Sequence, residues 1–125
     1  MPDKVIDASA LAAILFAEPD ADVILEMVKN TTLSAPSLLP YELSNVCLQK
    51  IRRHPSKRAM LIQGLDFLTQ IRITYCEVNS IESVELAEQN ALTAYDAAYL
   101  WLANTLDCPL ITLDRKLAKA ARKVY

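Results

Sequence analysis

The sequence contains one histidine and three cysteines, and these low numbers restrict its chemistry. The single histidine, His54, excludes a zinc site built from histidines and argues against a Ser-His-Asp triad. The cysteines, Cys47, Cys76 and Cys108, form no C-x-x-C pair, and each lies among apolar residues. We therefore expect buried, reduced thiols, as in the cytosol, and favour this interpretation over a redox role.

Long apolar runs and a large net charge are also absent. No run approaches the roughly 18 residues that span a membrane, and segment 1–4 has neither a basic leader nor a small-residue cleavage site. We therefore expect a cytoplasmic protein without membrane association. The net charge of −2 excludes a general electrostatic attraction to nucleic acid, so any such attraction must be local.

The chain shows a regular alternation of strand-like and helical segments. Its 125 residues, 53% of them hydrophobic and 22% charged, predict one compact domain over residues 1–125. The predicted order is β α α β α α β α α β α, which is typical of an α/β fold whose mostly parallel sheet is covered by helices on both faces. The predicted strands are 4–6, 33–35, 71–78 and 110–113, and the predicted helices are 9–17, 21–30, 38–53, 56–70, 80–91, 94–107 and 115–123.

Four carboxylates stand apart from the other charges of the chain. Three of them are each the only charged residue in a long segment: Asp7 in 5–17, Glu42 in 30–49 and Asp96 in 92–106. The fourth, Asp114, directly follows the apolar run 109–113. A charge is costly to bury without a partner, and most of the thirteen Lys and Arg residues lie in two other segments, 50–58 and 115–123. A shared metal ion is therefore the simplest predicted partner.

The predicted elements place two of these carboxylates at strand ends. Asp7 ends the first strand and Asp114 the fourth, and in open α/β sheets sites form beyond the carboxyl ends of strands where the strand order reverses. If the four carboxylates meet, they require a cation, because two carboxylates about 4 Å apart repel by about 4 kcal/mol at an effective dielectric of roughly 20. Oxygen ligands without Cys or His favour Mg²⁺ or Mn²⁺, ions that support phosphodiester hydrolysis.

Each carboxylate also has a purely structural interpretation. Asp7 and Asp114 are suited to cap the helices that follow them. Asp96 is suited to pair with Thr93 in a capping box, and Glu42 lies where its helix face borders solvent. These interpretations remain open one by one, but they do not explain why the surrounding segments hold no other charge.

Each of the four carboxylates lies in a segment of distinctive sequence. The segments are VIDASAL at 5–11, PSLLPYELSNV at 36–46, LTAYDAAYL at 92–100 and PLITLDRKLA at 109–118. In order and spacing they resemble the motifs of PIN domains across essentially the whole chain. The Tyr-Asp-Ala-Ala-Tyr and Thr-Leu-Asp-x-x-Leu-Ala pieces are the most specific, and the resemblance is strongest to the toxins of VapBC-type toxin–antitoxin systems.

This resemblance implies a fold, an activity and partners. The fold is a three-layer α/β/α domain with a parallel five-stranded sheet of strand order 3-2-1-4-5, which places the first and fourth strands side by side. The activity is that of an endoribonuclease that depends on Mg²⁺ or Mn²⁺. The implied partners are RNA, a second copy of the chain in a homodimer, and a small antitoxin whose tail runs into the active-site groove.

The resemblance also assigns site residues. It implies Asp7 and Asp96 as the firmest metal ligands, with Glu42 and Asp114 acting partly through water. The residues implied to line the site or orient its ligands are Ser9, Asn45 and Thr112.

Basic and aromatic residues supply further predictions. The two basic segments are either solvated faces or a phosphate-backbone track, and we expect Arg115 and Lys116 to bind RNA because they adjoin Asp114. Tyr95, Tyr99 and Trp101 share one predicted helix, where core packing is expected, with base stacking as an alternative for Tyr95 alone.

Three alternative functions are compatible with the sequence to different degrees. The first is a nuclease of the same fold without a toxin role. The second is a catalytically silent module that binds RNA or a protein, against which the four intact acids argue. An aspartyl-phosphate acceptor is disfavoured, because Asp7-Ala8-Ser9 lacks a second aspartate and no lysine stands at a strand end.

Overall fold

The computed structural model describes residues 3–121, and its order of elements confirms the predicted alternation. The strands are β1 (Asp3–Ile6), β2 (Thr32–Pro36), β3 (Ile73–Cys76) and β4 (Leu110–Ile111). The helices are α1 (Ala8–Leu15), α2 (Ala21–Val28), α3 (Leu39–Arg53), α4 (Arg58–Asp66), α5 (Ser80–Asn90), α6 (Ala94–Leu106) and α7 (Arg115–Ala120). The part of the last predicted helix beyond residue 121 lies outside the described residues.

All strand pairs of the sheet are parallel, and the order is β3-β2-β1-β4. Lys4 of β1 pairs with Leu33 of β2, whereas Ile6 pairs with Ile111 of β4. The chain thus has an α/β fold with a parallel sheet, and its first and fourth strands are neighbours as predicted. The fifth strand that the resemblance implied is absent from residues 3–121, in which α7 is the last element.

Helix α6 is the central packing element. It lies against β1, β2 and β4, and its fully or nearly buried residues include Ala98, Tyr99 and Leu100. Thr93 caps its first turn by accepting a hydrogen bond from the Asp96 amide at 3.1 Å. The apolar sequence on nearly all sides of this helix therefore reflects burial, as predicted.

Helix α4 is shorter than the predicted helix 56–70, because a 3₁₀ turn stands on each side of it, at Pro55–Lys57 and Phe67–Gln70. Its Gly64 is the only glycine of the chain, and a Cβ atom there would lie 2.4 Å from the Leu15 carbonyl oxygen. The missing side chain allows α4 to approach the end of α1 closely.

The cysteines form no disulfide within residues 3–121, with Cys47 and Cys108 buried and Cys76 half-buried. Burial raises the pKa of the Cys47 thiol, so this residue is a poor nucleophile at neutral pH. Among residues 3–121, no helix combines the length and the apolar character needed to cross a bilayer.

Candidate active site

Asp7 directly follows β1. The strand order reverses at β1, because β2 pairs with one side of it and β4 with the other. The amide of Asp7 donates to the Ile111 carbonyl at 3.1 Å, and its side chain is only 4% exposed. One carboxylate oxygen, Oδ1, accepts hydrogen bonds from the Ser9 hydroxyl at 2.7 Å and the Ala10 amide at 3.0 Å. The other, Oδ2, accepts a hydrogen bond from the Thr112 hydroxyl. Asp7 therefore caps α1 and is also anchored to the segment that follows β4.

The hydroxyl groups around Asp7 tie together two loops that are distant in sequence. Ser9 Oγ accepts a hydrogen bond from the Leu113 amide at 2.9 Å, and Thr112 Oγ1 accepts one from the Asp114 amide at 3.0 Å. The predicted supporting residues Ser9 and Thr112 thus contact Asp7 directly. Burial raises the pKa of Asp7 against the lowering effect of these hydrogen bonds, and the charge of Asp114 raises it further.

Asp114 caps the last helix. Its Oδ1 accepts hydrogen bonds from the Lys116 amide at 2.9 Å and the Leu117 amide at 3.1 Å. The capping interpretation of Asp7 and Asp114 is therefore correct as far as it goes. Both carboxylates also act on the other acids, because the charge of Asp114 raises the pKa of Asp7 and of Asp96.

Glu42 lies in the first turn of α3 and is half-buried. Its Oε1 accepts a hydrogen bond of 2.6 Å from the hydroxyl of Tyr99, which is 1% exposed. Burial raises the pKa of Glu42, the Tyr99 hydrogen bond lowers it, and the charges of Asp96 and Asp7 raise it. Burial and the neighbouring Glu42 carboxylate raise the pKa of Tyr99 far above its usual range, so its hydroxyl stays a donor.

The contact between Tyr99 and Glu42 was missed by the sequence analysis, which placed Tyr99 simply in the core. A signal was available, because a buried tyrosine normally needs a polar partner for its hydroxyl. Tyr99 also follows Asp96 by three residues, which places both side chains on one face of α6.

Asp96 lies in the first turn of α6, and its amide donates to Thr93, as in half of a capping box. Burial and then the charge of Asp114 raise its pKa, whereas the Thr93 hydrogen bond and the charge of Lys116 lower it. Each of the four acids is thus coupled by its charge to two of the others. The coupled pairs are Asp7–Asp114, Asp114–Asp96, Asp96–Glu42 and Glu42–Asp7.

The donor set of this network fits a hard divalent cation. It consists of carboxylate and hydroxyl oxygens, with no thiolate or imidazole. Between residues 3 and 121, no three Asp, Glu, His or Cys side chains are drawn together tightly enough to form a compact metal cage. The chemistry and charge of the acids therefore suit a cation that completes its coordination with water.

Asn45, the third predicted supporting residue, lies one helical turn after Glu42. Both line a cavity of about 400 Å³, together with Leu38, Tyr41 and Tyr95. Asn45 is exposed and makes no hydrogen bond with the acids of the described chain. The structure therefore places it beside the acidic network, on the wall of the neighbouring cavity.

The predicted RNA-binding residues Arg115 and Lys116 are exposed at the start of α7. Lys116 is near enough for its charge to lower the pKa of Asp96. In the other basic segment, Lys50 forms an ion pair with Glu18 and lies 5.8 Å from the centroid of the Phe16 ring. Lys50 therefore joins α3 to the end of α1 and is not a simple member of a phosphate track. Arg122 and Lys123 lie outside the described residues.

Comparison with known proteins gives concordant results. The profile of the PIN domain family matches residues 4–123. Ribonuclease VapC3 of Pyrobaculum aerophilum is 32% identical over 121 residues, covering 92% of each chain. A crystal structure of a protein from the same organism has a TM-score of 0.81 at 23% identity and covers 99% of this chain and 88% of that chain. The VapBC2 structure of Rickettsia felis, bound to a DNA fragment from the promoter, has a TM-score of 0.67 at 18% identity and covers 98% and 97%.

Proposed function

Because this chain belongs to the PIN-domain family, we propose that it is a metal-dependent endoribonuclease and the toxin of a VapBC-type toxin–antitoxin pair. The proposal is supported by the 32% identity to a ribonuclease over nearly the full length of both chains. The observation that carries it is the network of four carboxylates, in which Asp7 and Asp114 follow β1 and β4 while Glu42 and Asp96 lie in the first turns of α3 and α6. Such a network is costly unless a cation binds there.

The metal ligands of this proposal are Asp7 and Asp96, with Glu42 and Asp114 acting directly or through water, and the ion is Mg²⁺ or Mn²⁺. When bound, such an ion supplies the positive charge that stabilises the transition state of phosphodiester hydrolysis and activates the attacking water. Ser9 and Thr112 fix the orientation of the Asp7 carboxylate. Tyr99 fixes that of Glu42.

Arg115 and Lys116 complete the proposed site by binding phosphates of the RNA backbone. Both are exposed, and Lys116 is near enough to Asp96 for its positive charge to lower the pKa of that carboxylate. Phosphate contacts of this kind position a nucleic acid without reading its sequence. The protein supplies no nucleophile in this mechanism, because water attacks the phosphorus.

The proposed partners follow from the family. One relative of known structure is a VapBC2 assembly, and by analogy we expect this chain to bind a small VapB-like antitoxin. We further propose that residues 1–125 act as one domain, that the toxin is a homodimer, and that it works in the cytoplasm, where its RNA substrate is found.

The proposal is tested by incubating the purified protein, free of antitoxin, with a mixed RNA pool in Mn²⁺ or EDTA. We expect cleavage by the wild type in Mn²⁺, none in EDTA, and a loss of at least about a hundredfold in Asp96→Asn, since this change removes a metal ligand. Asp66→Asn, an exposed carboxylate at the end of α4, is the matched control and should cleave normally.

Thermal unfolding with and without Mn²⁺ distinguishes the alternatives. A folded wild type that is neither active nor stabilised by Mn²⁺ would indicate a module that binds RNA or a protein without cleaving it. Cleavage that survives in folded Asp96→Asn would refute the assigned site.

A further inference from the structure

Two exposed tyrosines border the acidic network and belong to no other part of the proposed mechanism. Tyr41 of α3 is 79% exposed and Tyr95 of α6 is 66% exposed. Neither hydroxyl forms a hydrogen bond within residues 3–121. Aromatic side chains that are exposed to this extent forgo most of the favourable free energy of burial. The stability of the fold therefore does not explain why tyrosine occupies these two positions.

These two side chains line the same cavity, although they come from different helices. The cavity measures about 400 Å³ and is also lined by Leu38, Glu42 and Asn45. Its size lies in the usual range of small-molecule sites, about 300–1,000 Å³. Because Glu42 belongs to the acidic network as well, the cavity is continuous with the proposed reaction site.

The residues that line the cavity suit one part of a nucleotide better than the others. The Glu42 carboxylate disfavours a phosphate in this cavity. An aromatic face is suited to stack on a base of any sequence, and the Asn45 amide offers both donors and an acceptor to the edge of a base. The base is therefore the part of the nucleotide that fits.

We propose that the cavity lined by Tyr41, Tyr95 and Asn45 is a subsite for an unpaired nucleobase next to the scissile phosphate. This inference rests on the proposed function and names the side chains that would hold a base beside its reaction site. Bases in a duplex remain stacked on each other, whereas the bases of loops and ends are free to stack on tyrosine.

The test measures the binding of a fluorescein-labelled, unstructured RNA octamer by anisotropy in Mg²⁺. The protein carries Asp96→Asn, so that binding is observed without cleavage. Tyr41→Ala and Tyr95→Ala are compared with Tyr41→Phe and Tyr95→Phe, which keep the aromatic ring. Phe67→Ala is the matched control, because Phe67 is 53% exposed but is not among the residues that line the cavity.

We expect each alanine variant to weaken RNA binding by about five- to fiftyfold, and the phenylalanine variants and Phe67→Ala to bind normally. An octamer of the same length without bases should bind equally to all variants. Unchanged RNA affinity in both alanine variants overturns the subsite and leaves the tyrosines to a protein partner. Failure of the Asp96→Asn protein to bind the octamer also overturns it.

The cleavage assay with wild-type protein keeps the two proposals apart. Metal-dependent cleavage together with tyrosine-independent binding retains the nuclease and rejects the subsite. Tyrosine-dependent binding without any cleavage rejects the nuclease and retains a base-binding cavity.

Discussion

Single residues of this protein serve two purposes at once, and Asp7 is the clearest case. It caps α1 through the Ala10 amide and is held on its other side by Thr112. A capping role alone needs no burial, yet Asp7 is almost fully buried beside other acids. Structural and chemical interpretations of such a residue are therefore compatible, and the burial of Asp7 beside other acids is consistent with both.

Tyr99 offers a residue-scale test of how the acids are held. Tyr99→Phe removes only the hydroxyl that donates to Glu42. Hydrogen bonds to charged groups contribute about 1.5–3 kcal/mol, and because Glu42 is half-exposed we expect a destabilisation of about 1 kcal/mol. The loss of a group that orients a metal ligand should lower Mn²⁺ affinity by about tenfold. The measurement is the melting temperature across a Mn²⁺ titration.

Tyr75→Phe is the control for this prediction, since no hydroxyl hydrogen bond of Tyr75 is formed within residues 3–121. It should leave both the stability and the Mn²⁺ response unchanged. A Tyr99→Phe protein with the Mn²⁺ response of the wild type would show that Glu42 is positioned without the tyrosine.

At the scale of elements, the sequence predicted the order of strands and helices because their ends carry readable signals. Asn79 and Thr93 accept hydrogen bonds from the amides three residues later, as capping residues do. The lengths were less predictable. The run 110–113 has a strand-like composition throughout, but only Leu110 and Ile111 pair with β1, because Thr112 turns towards Asp7 instead.

Gly64 supplies the element-scale prediction. Alanine is normally preferred to glycine in a helix by about 1 kcal/mol, but a Cβ atom at Gly64 would lie 2.4 Å from a backbone oxygen of α1. This oxygen is fixed within the core and has no rotamer to change. We therefore expect Gly64→Ala to lower the free energy of unfolding in urea by about 1–3 kcal/mol.

Gln63→Ala, an exposed substitution on the same helix, is its control and should be nearly neutral. A Gly64→Ala protein as stable as the wild type would mean that α4 can move away from α1 at little cost.

At the scale of the whole molecule, the sequence indicated the four acids of the predicted site but not the contacts of their side chains. Asp7, Glu42 and Asp96 were recognisable because each is the only charged residue of a long segment, and Asp114 because it directly follows an apolar run. Their partners were not, because contacts such as Tyr99 with Glu42 join positions 57 apart and depend on how the fold positions α6 relative to α3. The fifth strand was expected only from the family resemblance, and residues 3–121 do not contain it.

The distribution of charge gives a prediction for the whole molecule. With a net charge of −2, RNA must be attracted locally, and we expect this at Arg115 and Lys116. The double variant Arg115→Glu/Lys116→Glu should bind RNA more weakly. In a plot of the logarithm of the RNA-binding constant against the logarithm of the salt concentration, the slope should be less steep by about 1–2, because two phosphate contacts are lost. The measurement is the RNA dissociation constant over a series of salt concentrations.

Lys57→Glu/Arg58→Glu is the control with the same change of charge in the other basic segment. Melting curves should show that both double variants are folded. Equal losses of RNA affinity in the two proteins would contradict a specific role for Arg115 and Lys116.

The pairing of the first strand with the last has a consequence for synthesis of the protein on the ribosome. Asp7 is held by Thr112, which is translated 105 residues later, and β4 is the strand that joins β1 on that side. A nascent chain that has folded its earlier elements still lacks half of the acidic network. The site therefore assembles only after β4 and Asp114 have been translated, so a nascent chain that ends before them lacks the complete acidic network.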